Sequence, residues 1–222
     1  MDVEYVIIGH GIAGTMLSHE MQKAGISFIL IDDPLKSAAS KVASGIINPV
    51  TGRRIVETWM INKLMRSSFA VYRELEVKLG IDCLRECSVL DFFPTAQMRL
   101  AFTDRITEGS DYLFLPSLEN DWLEYLNYDL GYGIIQPAYL VDINALLTAH
   151  RSRLIADKLL LETAFVEQQL ILSKDKIQYG DLRASRLIFC DGAAGSSSKY
   201  FRRLPFALNK GEALIVEMPG LP

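Results

Sequence analysis

Three glycines near the start of the sequence have the spacing of a diphosphate-binding turn. Gly9, Gly11 and Gly14 form the motif GHGIAG. In such a motif the first glycine permits a tight turn, the second lets the backbone approach a pyrophosphate, and the third lets a helix pack closely. An acid follows at Asp32, where a carboxylate can accept hydrogen bonds from ribose hydroxyl groups. This pattern predicts an adenine dinucleotide ligand, and the acid favours FAD or NAD over NADP.

The motif requires a strand before it and a helix after it. The run Val3–Ile8 is almost continuously apolar, as in a parallel strand that is buried on both faces. A helix is predicted from about Ile12 to Gly25, and a second strand, Ser27–Ile31, leads to Asp32. The predicted inward face of the helix consists of Ala13, Met16, Leu17, Met21 and Ala24. A glycine-rich turn in an ordinary βαβ unit would leave the spacing and the acid unexplained.

Composition narrows the classes of function. The chain has 222 residues, half of them hydrophobic, which suits one large domain or two small ones. Its net charge of −4 gives no reason to expect a nucleic-acid partner. No apolar run reaches the length of a membrane span, and the acids Asp2 and Glu4 stand where a signal peptide would be basic.

The cysteines and histidines predict neither disulfides nor a metal site. Three cysteines are an odd number for a disulfide framework, so a reducing cytoplasm is the expected location. Cys83 and Cys87 would need two further zinc ligands, and His10, His19 and His150 form no ligand pair. We therefore expect no bound metal.

A segment rich in small residues follows Asp32. Residues 33–54 read DPLKSAASKVASGIINPVTGRR, where a plain NAD-binding domain would begin its next crossover helix. Small side chains allow the main chain to lie against a flat, anionic ligand, although a flexible loop is the simpler alternative. Arg53 and Arg54 could form an anion site at the mouth of such a pocket, but a solvated turn is the commoner role for such a pair.

The combination of GHGIAG, Asp32 and SKVASGIINP resembles the D-amino-acid oxidase and glycine oxidase family of FAD-dependent oxidoreductases. The resemblance implies that Ala39 and Ser40 lie near the phosphates, that residues 43–46 approach the flavin ring, and that Val166 lies at the adenine. It also implies that the turn after the strand RLIFC closes on the ADP half of the cofactor. The complete set of expected FAD-binding residues is Gly9, Gly11, Ile12, Ala13, Gly14, Asp32, Asp33, Ala39, Ser40, Ala43, Ser44, Gly45, Ile46, Val166, Cys190, Asp191 and Gly192.

The remaining pattern predicts an α/β fold with two domains. A long helix is predicted over 55–79, and a helix over 142–156 is followed by strands over 158–165, 169–172 and 176–179 that form a β-meander. The expected architecture is a FAD-type Rossmann domain, with a parallel sheet plus β-meander, formed by residues 1–82 and 137–208. Residues 83–136 and 209–222, including a strand over 211–218, are assigned to a second, α+β substrate domain. The fold is expected to be incomplete, because the resemblance covers about the first two thirds of the family's length.

The predicted function is FAD-dependent oxidation of a small amine or amino acid by hydride transfer to the flavin. No catalytic residue is assigned, because the arginine and tyrosine that hold the substrate carboxylate in the family match no position here. An NAD-dependent dehydrogenase is one alternative, and it would need a third crossover helix after Asp32. A non-catalytic flavin- or nucleotide-binding module is the other, although the acidic charge argues against one that binds RNA directly. The flavoenzyme interpretation requires the two glycine turns to face the same ligand.

Overall fold

The structure is a computed structural model that describes residues 1–36, 38–117, 122–174, 176–217 and 220. In chain order, the helices and strands are β1 (Asp2–Ile8), α1 (Ile12–Lys23), β2 (Phe28–Asp32), α2 (Ala39–Val42), β3 (Ile46–Ile47), β4 (Val50–Thr51), β5 (Val56–Glu57), α3 (Ile61–Leu79), β6 (Leu84–Phe92), α4 (Ala96–Thr107), β7 (Leu113–Phe114), β8 (Tyr132–Val141), α5 (Ile143–Ala156), β9 (Leu160–Glu162), β10 (Leu170–Leu172), β11 (Ile177–Tyr179) and β12 (Leu182–Phe189). Contacts divide the chain into unit 1, Met1–Ala43 with Ile143–Ala213, and unit 2, Ser44–Asp142 with Leu214–Pro222.

Unit 1 contains a sheet whose six described strands have the order β10-β11-β12-β1-β2-β9. The strands β12, β1, β2 and β9 are parallel, whereas β10 and β11 are antiparallel to their neighbours. From β1 the chain moves outward to β2 on one side, and β12 lies on the other side. The direction of winding therefore reverses between β1 and β12, which is where doubly wound sheets bind ligands.

The central strand β1 separates two hydrophobic clusters. Val6 and Ile8 pack in the cluster that includes Ile29, whereas Ile7 packs in the one that includes Met21. Alternate side chains of a strand point to opposite faces of its sheet, so both faces of β1 are covered. The prediction of a parallel strand that is buried on both faces is confirmed.

The β-meander exists, but its composition differs from the prediction. The strand predicted over 158–165 is β9, which pairs in parallel with β2 at the far edge of the sheet. The antiparallel meander is instead β10-β11-β12. Apolar patterning revealed the strands, but it carries no information about which strand each one pairs with.

The buried face of α1 also differs from the expected apolar stripe. Its buried residues are Gly14, Thr15, Ser18, His19 and Met21. Met21 was expected there, and Leu17 packs partly buried against the cluster that contains Ile7 and Met21, but small and polar residues make up the rest of the buried face. The hydroxyl of Ser18 donates to the carbonyl oxygen of Gly14 at 2.7 Å, which satisfies this buried polar group within the helix.

Two further predictions of secondary structure were wrong. The long helix begins at Ile61 instead of residue 55, because residues 56–57 form β5 and Met60 has a left-handed backbone with φ of 56°. Trp59, which precedes the helix, is 78% exposed. Residues 211–217 form no strand, and Met218 lies outside the described residues.

In unit 2, the long strands β6 and β8 form an antiparallel pair, and the short strands β3 and β7 each pair antiparallel with β8. The buried carboxylate of Glu76 on α3 accepts the backbone N–H groups of Cys83 and Leu84, each at 2.7 Å, and so fixes the start of β6. Residues 44–82 and 137–142 belong to this unit by their contacts. The functional division into a FAD-binding and a substrate domain stays a prediction.

Candidate dinucleotide-binding site

The two turns predicted to clasp one ligand lie side by side in unit 1. β1 and β12 are parallel neighbours, with Ile8 opposite Phe189, so both strands end at the same edge of the sheet. Beyond that pair, the N–H of Cys190 donates to the carbonyl oxygen of Ile8 at 2.7 Å. Gly9 has φ of +101°, and a Cβ there would lie 2.6 Å from the carbonyl oxygen of Cys190. Only glycine fits at this contact between the two turns.

The other two glycines of the motif fix the start of α1. A Cβ on Gly14 would lie 2.0 Å from the carbonyl oxygen of Gly9, so the helix can approach the turn only without one. A Cβ on Gly11 would lie 3.0 Å from Oγ of Ser40, and that hydroxyl accepts the N–H of Ile12 at 3.0 Å. The first turn of α1 holds no acid, so its partial positive charge is available to an anion.

A cavity of about 570 Å³ opens at this edge of the sheet. It brings together ten of the predicted residues, namely Gly9, Gly11, Asp32, Asp33, Ala39, Ser40, Val166, Cys190, Asp191 and Gly192. Ile12, Ala13, Gly14 and Ala43 are not part of its lining. The first three form the start of α1, behind the glycine turn.

Three other predicted residues, Ser44, Gly45 and Ile46, belong to unit 2. Gly45 has φ of +77°, and a Cβ there would lie 2.0 Å from the carbonyl oxygen of Val141. The N–H of Val141 donates to the carbonyl oxygen of Gly45 at 2.9 Å. Close packing against β8 is therefore a local reason for this glycine, independent of a flavin.

Asp32 lies at the end of β2, and both of its carboxylate oxygens already accept a hydrogen bond. Oδ1 accepts the backbone N–H of His10 at 2.9 Å, and Oδ2 accepts from Nη1 of Arg151 at 2.6 Å. Nε of Arg151 donates in turn to Glu162 at 2.9 Å. The residue predicted to bind ribose is thus held by the glycine turn on one side and by α5 on the other.

His10 occupies a variable position of the glycine motif, yet its side chain is buried. Its Nε2 lies 3.0 Å from Nδ1 of His150 on α5, and the two rings are stacked with centroids 5.3 Å apart. Burial lowers the pKa of His10 to about 4, and the carboxylate of Asp32 offsets this only in part. His10 is neutral at pH 7 and packs as part of the wall behind the turn.

Val166 lies at the cavity, and its backbone is held within its own loop. Its N–H donates to the hydroxyl of Tyr179 at 3.0 Å, and its carbonyl oxygen accepts the N–H of Gln169 at 3.0 Å. Val166 as a whole is 38% exposed. Phe165 and Phe189, in edge-to-face contact, also line this region and supply apolar surface. The contact between Val166 and an adenine stays a prediction.

The second turn carries no reactive thiol. Burial and the nearby carboxylate of Asp191 raise the pKa of Cys190, so the thiol is protonated at neutral pH. Burial also raises the pKa of Asp191. These shifts favour the interpretation of Cys190 as a small contact residue. Among the described residues, no group of three or more metal-ligating side chains was found.

Sequence reasoning missed two lysines in the cavity wall, Lys36 and Lys41. Both lie in the segment of residues 33–54, which was interpreted only through its small side chains, so the two positive charges were overlooked. A lysine ammonium favours a phosphate as a point charge. Two glycine-containing turns, a helix N-terminus, an anchored carboxylate and two lysines fit an adenine dinucleotide, with its diphosphate near the glycines.

Comparison with known proteins identifies the family. Residues 4–220 match the sequence model of the FAD dependent oxidoreductase family, DAO. The chain therefore belongs to this family of flavoenzymes, whose cofactor is FAD, as the resemblance of its motifs indicated.

Solved structures share the fold. Glycine oxidase from Geobacillus kaustophilus has 18% identity and a TM-score of 0.66, with 88% of this chain and 56% of that chain covered. L-amino acid deaminase from Proteus vulgaris has 17% identity and a TM-score of 0.63, with coverage of 86% and 47%. Iminodiacetate oxidase from Chelativorans sp. BNC1 has 17% identity and a TM-score of 0.63, with coverage of 87% and 56%. The chain spans about half the length of these proteins, and the predicted fold class is confirmed.

Within the described residues, every helix is too short or too polar to cross a bilayer.

Proposed function

We propose that this protein is a FAD-dependent oxidoreductase that oxidises a small amine or amino acid. Membership of the FAD dependent oxidoreductase family supports the cofactor. The names of the structural neighbours support the substrate class, because glycine oxidase, L-amino acid deaminase and iminodiacetate oxidase all act on compounds of this kind. Bound FAD would supply the acceptor for a hydride from the substrate carbon.

The observation that carries the proposal is the contact between the two turns. A Cβ on residue 9 would lie 2.6 Å from the carbonyl oxygen of Cys190, so only glycine fits at this position. Both turns line one cavity, at the switch point of the sheet. In the proposed function this chain's residues bind and orient the cofactor: the glycine turn and the start of α1 bind the diphosphate, and Asp32 binds the ribose.

The path of the chain after Asp32 favours FAD over NAD. An NAD-dependent dehydrogenase would continue with a crossover helix, whereas the described residues after Asp32 form the four-residue α2 and then the short strands β3 to β5. The β-meander β10-β11-β12 lies at the opposite side of the sheet. Flavoprotein Rossmann domains carry a meander where NAD domains more often have a helix.

Three finer assignments belong to the same proposal. Residues 43–46 approach the flavin ring. Residues 1–82 and 137–208 form the FAD-binding domain, and residues 83–136 and 209–222 form a domain that binds a small-molecule substrate. We further propose a cytoplasmic location, in keeping with the free thiols of Cys83, Cys87 and Cys190.

The test has two stages that separate cofactor binding from chemistry. The purified chain is first reconstituted with FAD, FMN or NAD, and the retained cofactor is identified by absorption and by chromatography after denaturation. FAD is the expected ligand. Anaerobic addition of a panel of amino acids and secondary amines should then bleach the visible flavin bands, as expected for hydride transfer.

Gly9→Val is the control for specific binding, because its side chain would enter the contact with Cys190. We expect this variant to retain no FAD. Retention of NAD in place of FAD by the wild-type chain would contradict the cofactor assignment. Bound FAD that no amine reduces would favour a non-catalytic flavin-binding module instead.

A further inference from the structure

Arg151 joins two carboxylates at the edge of the proposed cofactor site. Its Nη1 lies 2.6 Å from Oδ2 of Asp32, and its Nε lies 2.9 Å from Oε1 of Glu162. The side chains of Arg151 and Asp32 are only 18% and 20% exposed. The pair is thus well shielded from water, and an ion pair in such a setting fixes geometry more firmly than one at the surface.

The fold explains why an arginine is needed here. β2 and β9 are parallel neighbours, and Asp32 stands directly opposite Glu162 in their register. Two carboxylates at adjacent positions repel each other, and Arg151 on α5 contacts both. The three groups together carry one negative charge. Without the guanidinium, Asp32 would keep only its hydrogen bond from the N–H of His10, and the repulsion from Glu162 would no longer be offset.

Asp32 faces the cavity, whereas Arg151 and Glu162 are not part of the cavity lining. An ionised carboxylate offers about four hydrogen-bond acceptor positions. The N–H of His10 and Nη1 of Arg151 occupy one on each oxygen, at 2.9 Å and 2.6 Å. Capacity for further donors therefore remains on Asp32, and Arg151 is placed to act on a ligand through that carboxylate.

We infer that Arg151 is a positioning residue that orients the Asp32 carboxylate for recognition of the hydroxyl groups of the adenosine ribose. This inference rests on the proposed binding of FAD. It assigns to α5, more than a hundred residues after the glycine motif, a role in cofactor affinity. The net negative charge of the three groups also disfavours a ribose that carries a 2′-phosphate.

The test combines a protein variant with the removal of a single ligand hydroxyl. FAD is displaced from the purified chain by ADP, by 2′-deoxy-ADP or by 3′-deoxy-ADP, and flavin fluorescence gives the inhibition constants. We expect wild-type protein to prefer ADP over at least one deoxy analogue by about tenfold, as is typical of a hydrogen bond to a charged group. In Arg151→Met this preference should fall to about twofold or less, because the carboxylate is no longer oriented.

A purely structural role would give a different result. Loosening of the whole site would weaken ADP and its deoxy analogues equally, so that their ratio would not change. Arg153→Met is the matched control, because Arg153 lies on the same helix and contacts Asp157 at 2.9 Å instead of Asp32. It should retain the wild-type ratio.

A conservative variant keeps the test valid if Arg151→Met does not fold. Arg151→Lys retains the charge, but one ammonium group cannot reproduce the two-nitrogen contact with Asp32 and Glu162. Its ratio should lie between those of wild type and Arg151→Met, with circular dichroism and thermal melting as checks of folding.

Each result has a distinct consequence. Wild-type protein that binds neither FAD nor ADP overturns the proposed function and this inference with it. FAD binding without discrimination between ADP and the deoxy analogues overturns the inference alone. Wild-type discrimination that persists in folded Arg151→Met or Arg151→Lys also overturns it.

Discussion

The two turns that meet at the cavity differ in how tightly their glycines are enclosed. In the turn after β1, added Cβ atoms on Gly9 and Gly14 would lie 2.6 Å and 2.0 Å from backbone oxygens. In the turn after β12, Gly192 has φ of +59°, but no described atom lies within 4 Å of its added Cβ. The first turn is thus specified by steric exclusion, and the second by its backbone conformation and its place beside the first.

The largest expected effect comes from filling the enclosed turn. Gly14→Val would force α1 away from the glycine turn, because the carbonyl oxygen of Gly9 is part of rigid backbone. We expect the free energy of unfolding to fall by about 3 kcal/mol or more, at the upper end of overpacking effects. Urea denaturation measures the change, and FAD retention should be abolished. A variant with the wild-type urea midpoint would contradict this prediction, because it would show that the backbone of the turn can move to accept the larger side chain.

Acidification should also act on the first turn. The pKa of His10 is about 4 in the folded chain and 6.5 in the absence of the fold, so the neutral ring is favoured by folding. Above pH 6.5 this group adds no pH dependence, and stability is lost as the pH falls from there towards 4. The loss should be about 2 kcal/mol at about pH 5.

The matched variant for this prediction is His10→Gln, compared with wild type by urea denaturation across the pH range. It removes the titrating ring next to His150, Asp32, Arg151 and Lys41. The difference in stability between the two proteins should shrink as the pH is lowered. Parallel curves for the two proteins would exclude His10 as the source of the pH dependence.

Gly192→Ala tests the open turn. An alanine in this left-handed conformation costs about 1 kcal/mol, without a clash. Because Gly192 lines the cavity, FAD affinity should fall as well, which a fluorescence titration measures. Gly25→Ala is the control, since Gly25 has φ of +68°, an equally open surrounding and a position outside the cavity lining. It should lose similar stability and keep its FAD affinity; equal losses of affinity would remove the distinction between the two sites.

The smallest expected effect lies in the loop that carries Val166. Tyr179→Phe removes the acceptor of the Val166 N–H, a 3.0 Å bond, and should lower stability by about 1 kcal/mol. Tyr5→Phe provides the comparison, because its hydroxyl accepts an exposed bond from Arg186 at 3.3 Å and should matter little. Thermal melting of both variants compares the two losses of stability. The rate of hydrogen exchange at the Val166 amide should rise only in Tyr179→Phe.

The contrast between the turns also explains which parts of the fold could be predicted from the sequence. The segment β1-α1-β2 could be recognised because steric exclusion demands glycine at fixed positions and burial on both faces demands an apolar run. The strand RLIFC before the second turn was recognised in the same way. The proximity of the two turns followed only from the assumption that both belong to one parallel sheet.

The features that were missed depend on partners distant in sequence. Periodicity selected an apolar inward face for α1, whereas close packing placed Thr15 and Ser18 there. The strand over 158–165 had a correct apolar pattern and an incorrect partner. The contacts of Arg151 with Asp32 and of His10 with His150 join residues 119 and 140 positions apart, and no local pattern indicates them.

The long separation between β1 and β12 has a consequence for biosynthesis. The amino group of Met1 donates to the carbonyl oxygen of Asp181 at 2.8 Å, and β12 then pairs with β1 from Asp2 to Ile8. As the chain leaves the ribosome, one edge of the apolar β1 stays without its partner until residues 182–189 emerge. Such unpaired edges invite aggregation and are bound by chaperones, and distant pairings slow folding. Nascent chains stalled before Leu182 should therefore depend on chaperones far more than chains released after Phe189.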